Sequence, residues 1–174
     1  DCQQAVSSVV TAIIIPDITV TTQPTNVNEC VGGLDQMTVA ISGGSGLVSY
    51  QWQSSTDGNA PWANAVGTGS TTNTFTPPSV TPGTTYYRVL VNATGSDCQQ
   101  AVSSVVTAII IPDITVTTQP TNVNECVGGL DQMTVAISGG SGLISYQWQS
   151  STTGAEPWAN AIGTGSTTNT FTPP

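Results

Sequence analysis

The chain has 174 residues, of which 6% are charged, against about 25% in an ordinary globular protein. One arginine, ten carboxylates and no histidine give a net charge of −9, the wrong sign for binding nucleic acid or an anionic membrane surface. Because histidine and lysine are missing, the commonest general bases, metal ligands and Schiff-base nucleophile are missing too. We therefore expect no enzyme, no cofactor and no metal site. No apolar run approaches the ~20 residues of a membrane span, so we expect no membrane insertion by this segment.

An internal repeat organises the sequence. Residues 1–78 and 97–174 are the same text, 96 positions apart, with five substitutions. A tandem unit of this kind is typical of arrays that supply length and multiplicity. Prolines 16 and 112 mark the expected borders. Residues 1–16 are then the terminal strand of a preceding repeat, 17–112 a complete repeat and 113–174 an incomplete following repeat.

The predicted elements of the complete repeat are all strands. Alternation of apolar with polar residues, interrupted by Gly- and Pro-rich turns, is the dominant pattern, and nothing predicts a helix. Seven or eight short strands in 96 residues predict an all-β fold, an antiparallel β-sandwich of two sheets. In chain order, the predicted strands are 18–20, 37–42, 47–53, 62–66, 71–76, 86–91 and 102–111.

The same alternation predicts which side chains face the core. The expected inward residues are Met37, Val39, Ile41, Val48, Tyr50, Trp52, Phe75, Tyr87, Val89 and Val91. The five substitutions between the copies agree with this pattern. Two of them exchange Val for Ile at apolar positions that we expect to lie in the core, Val48→Ile144 and Val66→Ile162. The other three fall in one predicted loop: Asp57→Thr153, Asn59→Ala155 and Ala60→Glu156.

Several strings of this repeat resemble a known group of proteins. They are Tyr50-Gln-Trp52-Gln-Ser-Ser-Thr-Asp57-Gly58, the downstream Trp62, and Pro82-Gly-Thr-Thr-Tyr86-Tyr87-Arg88-Val. Together they resemble the immunoglobulin-like tandem repeats of giant cell-surface adhesins and fibre proteins of Bacteroidota, which are exported by type IX secretion. The grappling-hook-like surface fibres of filamentous marine predators belong to this group. The resemblance covers the whole repeat.

That resemblance carries expectations about fold and place. It implies an immunoglobulin-like β-sandwich, an extracellular or cell-surface location, and adhesion or fibre formation. Trp52 stands where the core tryptophan of the third strand belongs, and Tyr86 or Tyr87 near the corner tyrosine of such domains.

The four cysteines are two positions seen twice. The complete repeat contains one pair, Cys30 and Cys98, without a CxxC motif, which predicts a disulfide formed in an oxidising compartment. Such a loop closure stabilises a domain by roughly 4 kcal/mol. Against the immunoglobulin pattern, the bridge would hold the end of the sandwich and would not cross its centre. The alternative pairing, Cys2 with Cys30, would join one repeat to the next.

Two tryptophans are the candidate ligand-binding residues. Trp62 and Trp158 lie in loop-rich sequence, where an exposed indole stacks on a sugar ring. The alternative is that each ring packs over the end of the core. The nearby Asp57-Gly58-Asn59 lacks the carboxylate spacing of a calcium loop and indicates a turn.

The most unusual stretch is the apolar run from Val9 to Ile15. Its residues are apolar on both faces, which a half-exposed strand avoids. We expect Val9, Ile13, Ile14 and Ile15 to contact either the next repeat or another chain. Strands from the array's own continuation, or a strand like Val6–Ile15 donated by a neighbouring protomer, are expected to complete residues 113–174, because a sandwich without its last strands exposes long edges.

These observations favour a structural repeat of a secreted or cell-surface adhesive fibre. The expected partners are copies of the chain in a homomeric filament, and surface glycans or proteins of another cell. The alternative is a glycan-binding β-sandwich module of an extracellular polysaccharide-degrading protein, which requires Trp62 to be solvent-facing.

Overall fold

The computed structural model describes residues 3–94 and 99–174, and in these ranges the chain forms strands and turns without a helix. It follows that no helix in the described ranges spans a bilayer. The chain divides into two compact units. The first comprises Asp1–Glu29, Leu34–Ser79 and Gly83–Ile109, and the second comprises Cys30–Gly33, Val80–Pro82 and Ile110–Pro174.

Ten strands run through the first copy of the repeat. They are β1 (Thr19–Thr22), β2 (Val27–Cys30), β3 (Met37–Thr38), β4 (Ala40–Ser42), β5 (Val48–Ser55), β6 (Ala63–Asn64), β7 (Thr74–Phe75), β8 (Gly83–Ala93), β9 (Ala101–Val102) and β10 (Val106–Ile111). One layer consists of two short sheets, β1-β4 and β3-β7. The other is a six-stranded sheet in the order β2-β10-β8-β5-β6, with β9 paired to β8. This is the predicted all-β, immunoglobulin-like sandwich.

The longest pairing joins β5 and β8. The two strands run antiparallel over eight residue pairs, with Trp52 opposite Val89 and Tyr50 opposite Val91. One pair departs from the antiparallel pattern. The Thr107 N–H donates to Asn26 Oδ1 at 2.9 Å, and the Val31 N–H donates to the Ile111 carbonyl at 3.1 Å. Because both contacts advance in the same direction along the chain, β2 and β10 are parallel neighbours.

The core lies between the two layers. Met37, Trp52, Phe75 and Val89 are each 0% exposed. The Trp52 and Phe75 rings stack with centroids 5.2 Å apart, and Tyr87 tilts against Phe75 at 5.1 Å. Burial raises the pKa of the Tyr87 hydroxyl, against a smaller lowering by a hydrogen bond from Thr85. The predicted inward residues of β3, β5, β7 and β8 therefore meet in one core, with the three aromatic rings at its centre.

The second copy forms fewer and shorter strands. They are β11 (Thr115–Thr118), β12 (Met133–Thr134), β13 (Ala136–Ser138), β14 (Gln149–Ser150), β15 (Ala159–Asn160) and β16 (Thr170–Phe171). They pair as β11-β13, β12-β16 and β14-β15, each antiparallel, which repeats the pairings β1-β4, β3-β7 and β5-β6 of the first copy.

Three sequence expectations were wrong. Val48 was expected to face the core but is 39% exposed, at the first position of β5. Val66 and Ile162 are 80% and 84% exposed, because in the segment that follows strand β6 Ala65 is the buried residue, so their exchange is not a core substitution. Strand β2 was not predicted. Of its four residues, Val27–Cys30, only Val27 is buried, so the sequence after Pro24 shows no repeated alternation of apolar and polar residues. The three loop substitutions do fall in a loop, which connects β5 to β6.

The turn at Gly43 offers a stability prediction with a matched control. Gly43 has a φ of 78°, and a Cβ there would overlap the Asp17 carbonyl oxygen. Gly32 has a similar φ of 82° with no atom within 4 Å. We expect Gly32→Ala to cost ~1–2 kcal/mol from the left-handed backbone alone. Gly43→Ala should cost roughly 1–3 kcal/mol more, because the backbone of Asp17 must move. Thermal unfolding of both variants checks this, and equal losses would contradict the close approach.

Candidate functional site

Trp52 in strand β5 and its counterpart Trp148, which directly precedes β14, make the same hydrogen bond in the two copies. The Trp52 indole N–H donates to the Thr72 carbonyl at 2.8 Å, and the Trp148 indole N–H donates to the Thr168 carbonyl at the same distance. The Trp52 indole therefore ties strand β5 to the loop that leads into β7, and the Trp148 indole ties the segment before β14 to the loop that leads into β16. This hydrogen bond satisfies the one polar group of a ring that otherwise packs in the core.

The β5–β6 loop is held by side-chain hydrogen bonds. Asp57 Oδ1 accepts the Asn59 N–H and the Ser55 hydroxyl, both at 2.9 Å. In the second copy, Thr153 Oγ1 accepts the Ala155 N–H at 3.3 Å and lies 3.2 Å from the Ser151 hydroxyl. The substitution Asp57→Thr153 thus keeps the turn while removing a charge, as expected for turn chemistry. In the described ranges no cluster of three or more metal-ligating side chains occurs.

These bonds hold the pKa of Asp57 below the usual 3.8, chiefly through the Asn59 N–H and then through the Ser55 hydroxyl. A lowered carboxylate pKa gives stability that is present above the unfolded value and is lost as the pH falls through the folded value. We expect the β5–β6 loop to loosen below about pH 4. An NMR titration should place the Asp57 midpoint below 3.8. Asp57→Thr, which copies the second repeat, should abolish this pH dependence, and an unchanged acid response would contradict its assignment to Asp57.

Trp62 follows this loop and is half-buried. The Arg88 guanidinium lies over its ring, with Cζ 4.4 Å from the centroid. Arg88 is fixed by its Nε–H, which donates to Gln53 Oε1 at 3.0 Å. One face of the Trp62 indole is thereby covered by a cation–π contact, worth roughly 0.5–1 kcal/mol at an exposed site. The sequence pattern did not reveal the roles of Arg88 and Gln53, which come from adjacent strands. Whether Trp62 binds a ligand stays a prediction.

Trp158, the counterpart of Trp62, has a different environment. It is 43% exposed, and its backbone N–H donates to Glu156 Oε2 at 3.1 Å. Arg88 is the only basic residue of the sequence, so the second copy has no arginine of its own to cover the Trp158 indole. Trp62 and Trp158 belong to different copies, and each remains a separate candidate for stacking.

Two of the four cysteines can be placed. Cys30 and Cys126 are exposed, whereas Cys2 and Cys98 lie outside the described residues, so the Cys30–Cys98 bridge stays a prediction.

The apolar run near the start of the chain is exposed in the structure. Val9, Ile13 and Ile14 are 96%, 78% and 90% exposed, and Ile15 is 36% exposed. The same sequence at residues 99–111 forms β9 and β10, where Val106 is only 6% exposed. An identical segment is thus part of a core in one place and without strand partners in the other.

Comparisons with known proteins bear on family and fold. A family described as a domain of unknown function, DUF8696, matches residues 19–112, more than half of the chain. No curated protein matches the sequence. Among solved structures, the N-terminal four immunoglobulin domains of Dscam1 isoform 6.9 align with a TM-score of 0.50 at 9% identity, over 80% of this chain and 36% of that one. Sidekick-1 immunoglobulin domains 1–4 align at 0.49 and 14% identity, over 75% and 34%.

The chain spans about a third of the length of these solved structures. At such low identity the likeness concerns the fold alone. It agrees with the two-layer arrangement of strands described above. The chain belongs to the DUF8696 family, a domain of unknown function, and its repeat has an immunoglobulin-like β-sandwich fold.

Proposed function

We propose that this chain is a structural repeat of a secreted or cell-surface adhesive fibre, which supplies reach and stiffness and assembles into a homomeric filament. In this proposal residues 17–112 are the complete repeat, flanked by parts of two others. The fibre belongs to a bacterium of the Bacteroidota and is exported by type IX secretion. Binding to glycans or proteins of another cell is the task of a distant tip.

The observation that carries the proposal is the tandem repetition of one sandwich with almost no change in sequence. A binding or catalytic domain needs one site, whereas a spacer needs many equivalent units. The substitutions support this reading, because the loop changes keep the hydrogen-bonded turn of Ser55–Asn59 as Ser151–Ala155. Selection on such an array acts on the fold of the unit, not on a local site.

The surface composition supports an extracellular place. Solubility depends on hydroxyl and amide side chains, since charged residues make up 6% of the chain. Arg88 is the only position that trypsin recognises, and its side chain is half-buried against Trp62. A surface with few cleavage sites and few charges resists proteases and changes in salt.

The exposed apolar run supports assembly. Val9 and Ile13 are four positions apart, so their side chains share one face when the segment forms a strand. Both are largely solvent-exposed. Burial of such side chains against a second copy stabilises by roughly 1.5–3 kcal/mol each. This is enough to drive association when several copies cooperate.

The assembly test uses the whole chain in a concentration series. We expect sedimentation velocity and electron microscopy to show linear oligomers that grow with concentration. A Val9→Asp, Ile13→Asp double variant should stay monomeric, because carboxylates cannot be buried in the contact. Leu143→Asp is the matched control, since Leu143 is 105% exposed and lies outside the run. A wild-type chain that is monomeric at every concentration would overturn the filament.

The location and the adhesive role need separate measurements. Antibodies against the repeat should label intact cells of the source organism, and they should do so along surface fibres. Labelling only after permeabilisation would refute the surface location. On a glycan array the isolated chain should show no binding, because the repeat acts as a spacer. Saturable binding that Trp62→Ala or Trp158→Ala removes would replace the proposal with a glycan-binding module.

A further inference from the structure

The single cation of the chain has no acidic partner in the described ranges. Arg88 is the only basic residue beside ten carboxylates. Its neighbours Tyr87 and Val89 in β8 are buried, so Arg88 projects from the outer face of the six-stranded sheet. Among the described residues, its polar contacts are the hydrogen bond to Gln53 and the cation–π contact with Trp62, and neither is an ion pair. The charge of Arg88 is therefore available to an anion from another molecule.

The guanidinium is oriented before an anion arrives. Gln53, which accepts the Arg88 Nε–H, is paired across the sheet with Arg88 on one side and with Asn64 on the other. The Trp62 ring, 4.4 Å from Cζ, holds the plane of the group. One of the five guanidinium N–H donors is used in this way, and the four on the terminal nitrogens have no partner among the described residues. This edge matches a carboxylate, which it binds through two parallel hydrogen bonds.

The chain also presents a carboxylate on a fixed turn. Asp35 is exposed in the turn after β2. Its backbone N–H donates to Glu29 Oε2 at 2.8 Å, and the Gly33 N–H donates to the Cys30 carbonyl at 3.0 Å, so the turn is held by its own hydrogen bonds. The Asp35 carboxylate itself bonds to no described residue. Leu34, next to it, is 79% exposed.

The second copy presents the same pair of side chains. The Asp131 N–H donates to Glu125 Oε2 at 2.8 Å, and Leu130 is 81% exposed. Each copy thus places an apolar side chain and a free carboxylate side by side on one turn. This pair is complementary to the indole of Trp62 and the guanidinium of Arg88, which place an apolar ring beside a cation.

We propose that the Trp62–Arg88 site binds the Asp35 carboxylate, or that of its counterpart Asp131, from a second copy of this chain. The inference rests on the homomeric filament proposed above and names one contact in it. Because the two surfaces differ, the contact is heterologous and can continue from copy to copy. A single pair binds weakly, with a millimolar Kd, and becomes strong when many repeats of two arrays face each other.

Charge supports a copy of the chain as the partner. With a net charge of −9, two copies repel each other, and Arg88 is the only side chain that offers an attraction between full charges. A contact through Arg88 therefore also selects how two copies face each other. Any arrangement that leaves Arg88 away from a carboxylate keeps the repulsion and gains no ion pair.

The test uses the whole chain as a Val9→Ser, Ile13→Ser double variant, which removes the exposed apolar contact without adding a carboxylate. Dilute 15N-labelled chain is titrated with unlabelled chain, and NMR follows the Arg88 Nε–H and the Trp62 indole N–H. We expect both signals to shift with a millimolar Kd, and the binding to weaken as salt rises from about 20 mM to about 500 mM. Without any shift the site does not bind the chain, and the proposal is overturned. Concentration-dependent oligomers of the unaltered chain would still support the fibre, so the two failures are distinguishable.

Variants of the unlabelled partner identify the carboxylate. Asp35→Asn with Asp131→Asn should weaken binding by about threefold or more. The turn should survive, because it is held by the backbone N–H of each residue and not by its carboxylate. Asp113→Asn with Glu156→Gln removes the same charge from other exposed positions and should change Kd by less than about twofold. Equal effects of the two pairs would mean a non-specific attraction and would overturn the proposal.

Variants of the labelled chain identify the receptor. Arg88→Gln should abolish the shift of the Trp62 signal, and Arg88→Lys should weaken binding by about threefold or more, because an ammonium group cannot form the two parallel bonds. Hydrogen exchange of β8 shows whether these variants remain folded, and the partner variants decide the matter if they do not. An oligogalacturonate is the competing occupant. If it shifts the same signals at a lower concentration than the chain does, the site serves an acidic glycan and the proposal is wrong.

Discussion

Replacing Trp52 with alanine is expected to destabilise the first copy of the repeat by ~3–5 kcal/mol. The indole is 0% exposed, stacks on Phe75 and donates a hydrogen bond to Thr72. Its loss therefore opens a large cavity in the centre of the sandwich and leaves the Thr72 carbonyl without this donor. Chemical denaturation followed by far-ultraviolet circular dichroism measures the loss, and hydrogen exchange of β5 and β8 assigns it to the first copy.

The repeat provides the control within the same molecule. Trp148→Ala removes the same side chain and the same hydrogen bond, to Thr168, but from a half-buried site. We expect it to cost less than Trp52→Ala, because fewer contacts are lost where β8 has no counterpart. If the two substitutions cost the same, the cover that β8 provides over the tryptophan is not a major part of the stability of the core.

The sequence was sufficient for the fold because alternation is strong in the central strands. Tyr87, Val89 and Val91 are all inward as predicted, at 5%, 0% and 0% exposed. Each of these positions is followed by a residue that faces the other side, so the period of two is unambiguous. Phe75 was likewise predicted correctly, although its strand is only two residues long.

Prediction failed where tertiary context decides. Val66 looks like a core residue because it is apolar, but in the segment after the two-residue strand β6, Ala65 faces inward and Val66 faces solvent. Val48 was expected inward and is 39% exposed, since it opens β5 at the edge of the layer. A one-residue difference in register moves a side chain to the opposite face, and no local pattern in a two-residue strand fixes that register.

The candidate site was harder to predict than the fold. Trp62 was identified from its place in the chain, but its cover is Arg88, which is 26 positions away and meets it only through the β5–β8 pairing.

The second large effect concerns two valines in identical sequence. Val106→Asp is expected to cost roughly 4 kcal/mol or more, because Val106 is 6% exposed in the core and an unpaired carboxylate there has no partner.

Val10→Asp changes the same residue in the same local sequence, but Val10 is 87% exposed. We expect it to alter the stability by less than about 0.5 kcal/mol when the chain is dilute and monomeric.

Thermal unfolding at low concentration, read together with hydrogen exchange of β8, separates the two variants. The contrast would show that the strand formed by this sequence depends on its partners and not on local propensity, since Val10 and Val106 share their neighbours for nine residues on the N-terminal side and for 37 on the other. A large loss from Val10→Asp in the monomer would mean that the run at residues 3–16 is already packed against the chain. That result would contradict its exposure and would remove the main support for assembly through Val9 and Ile13.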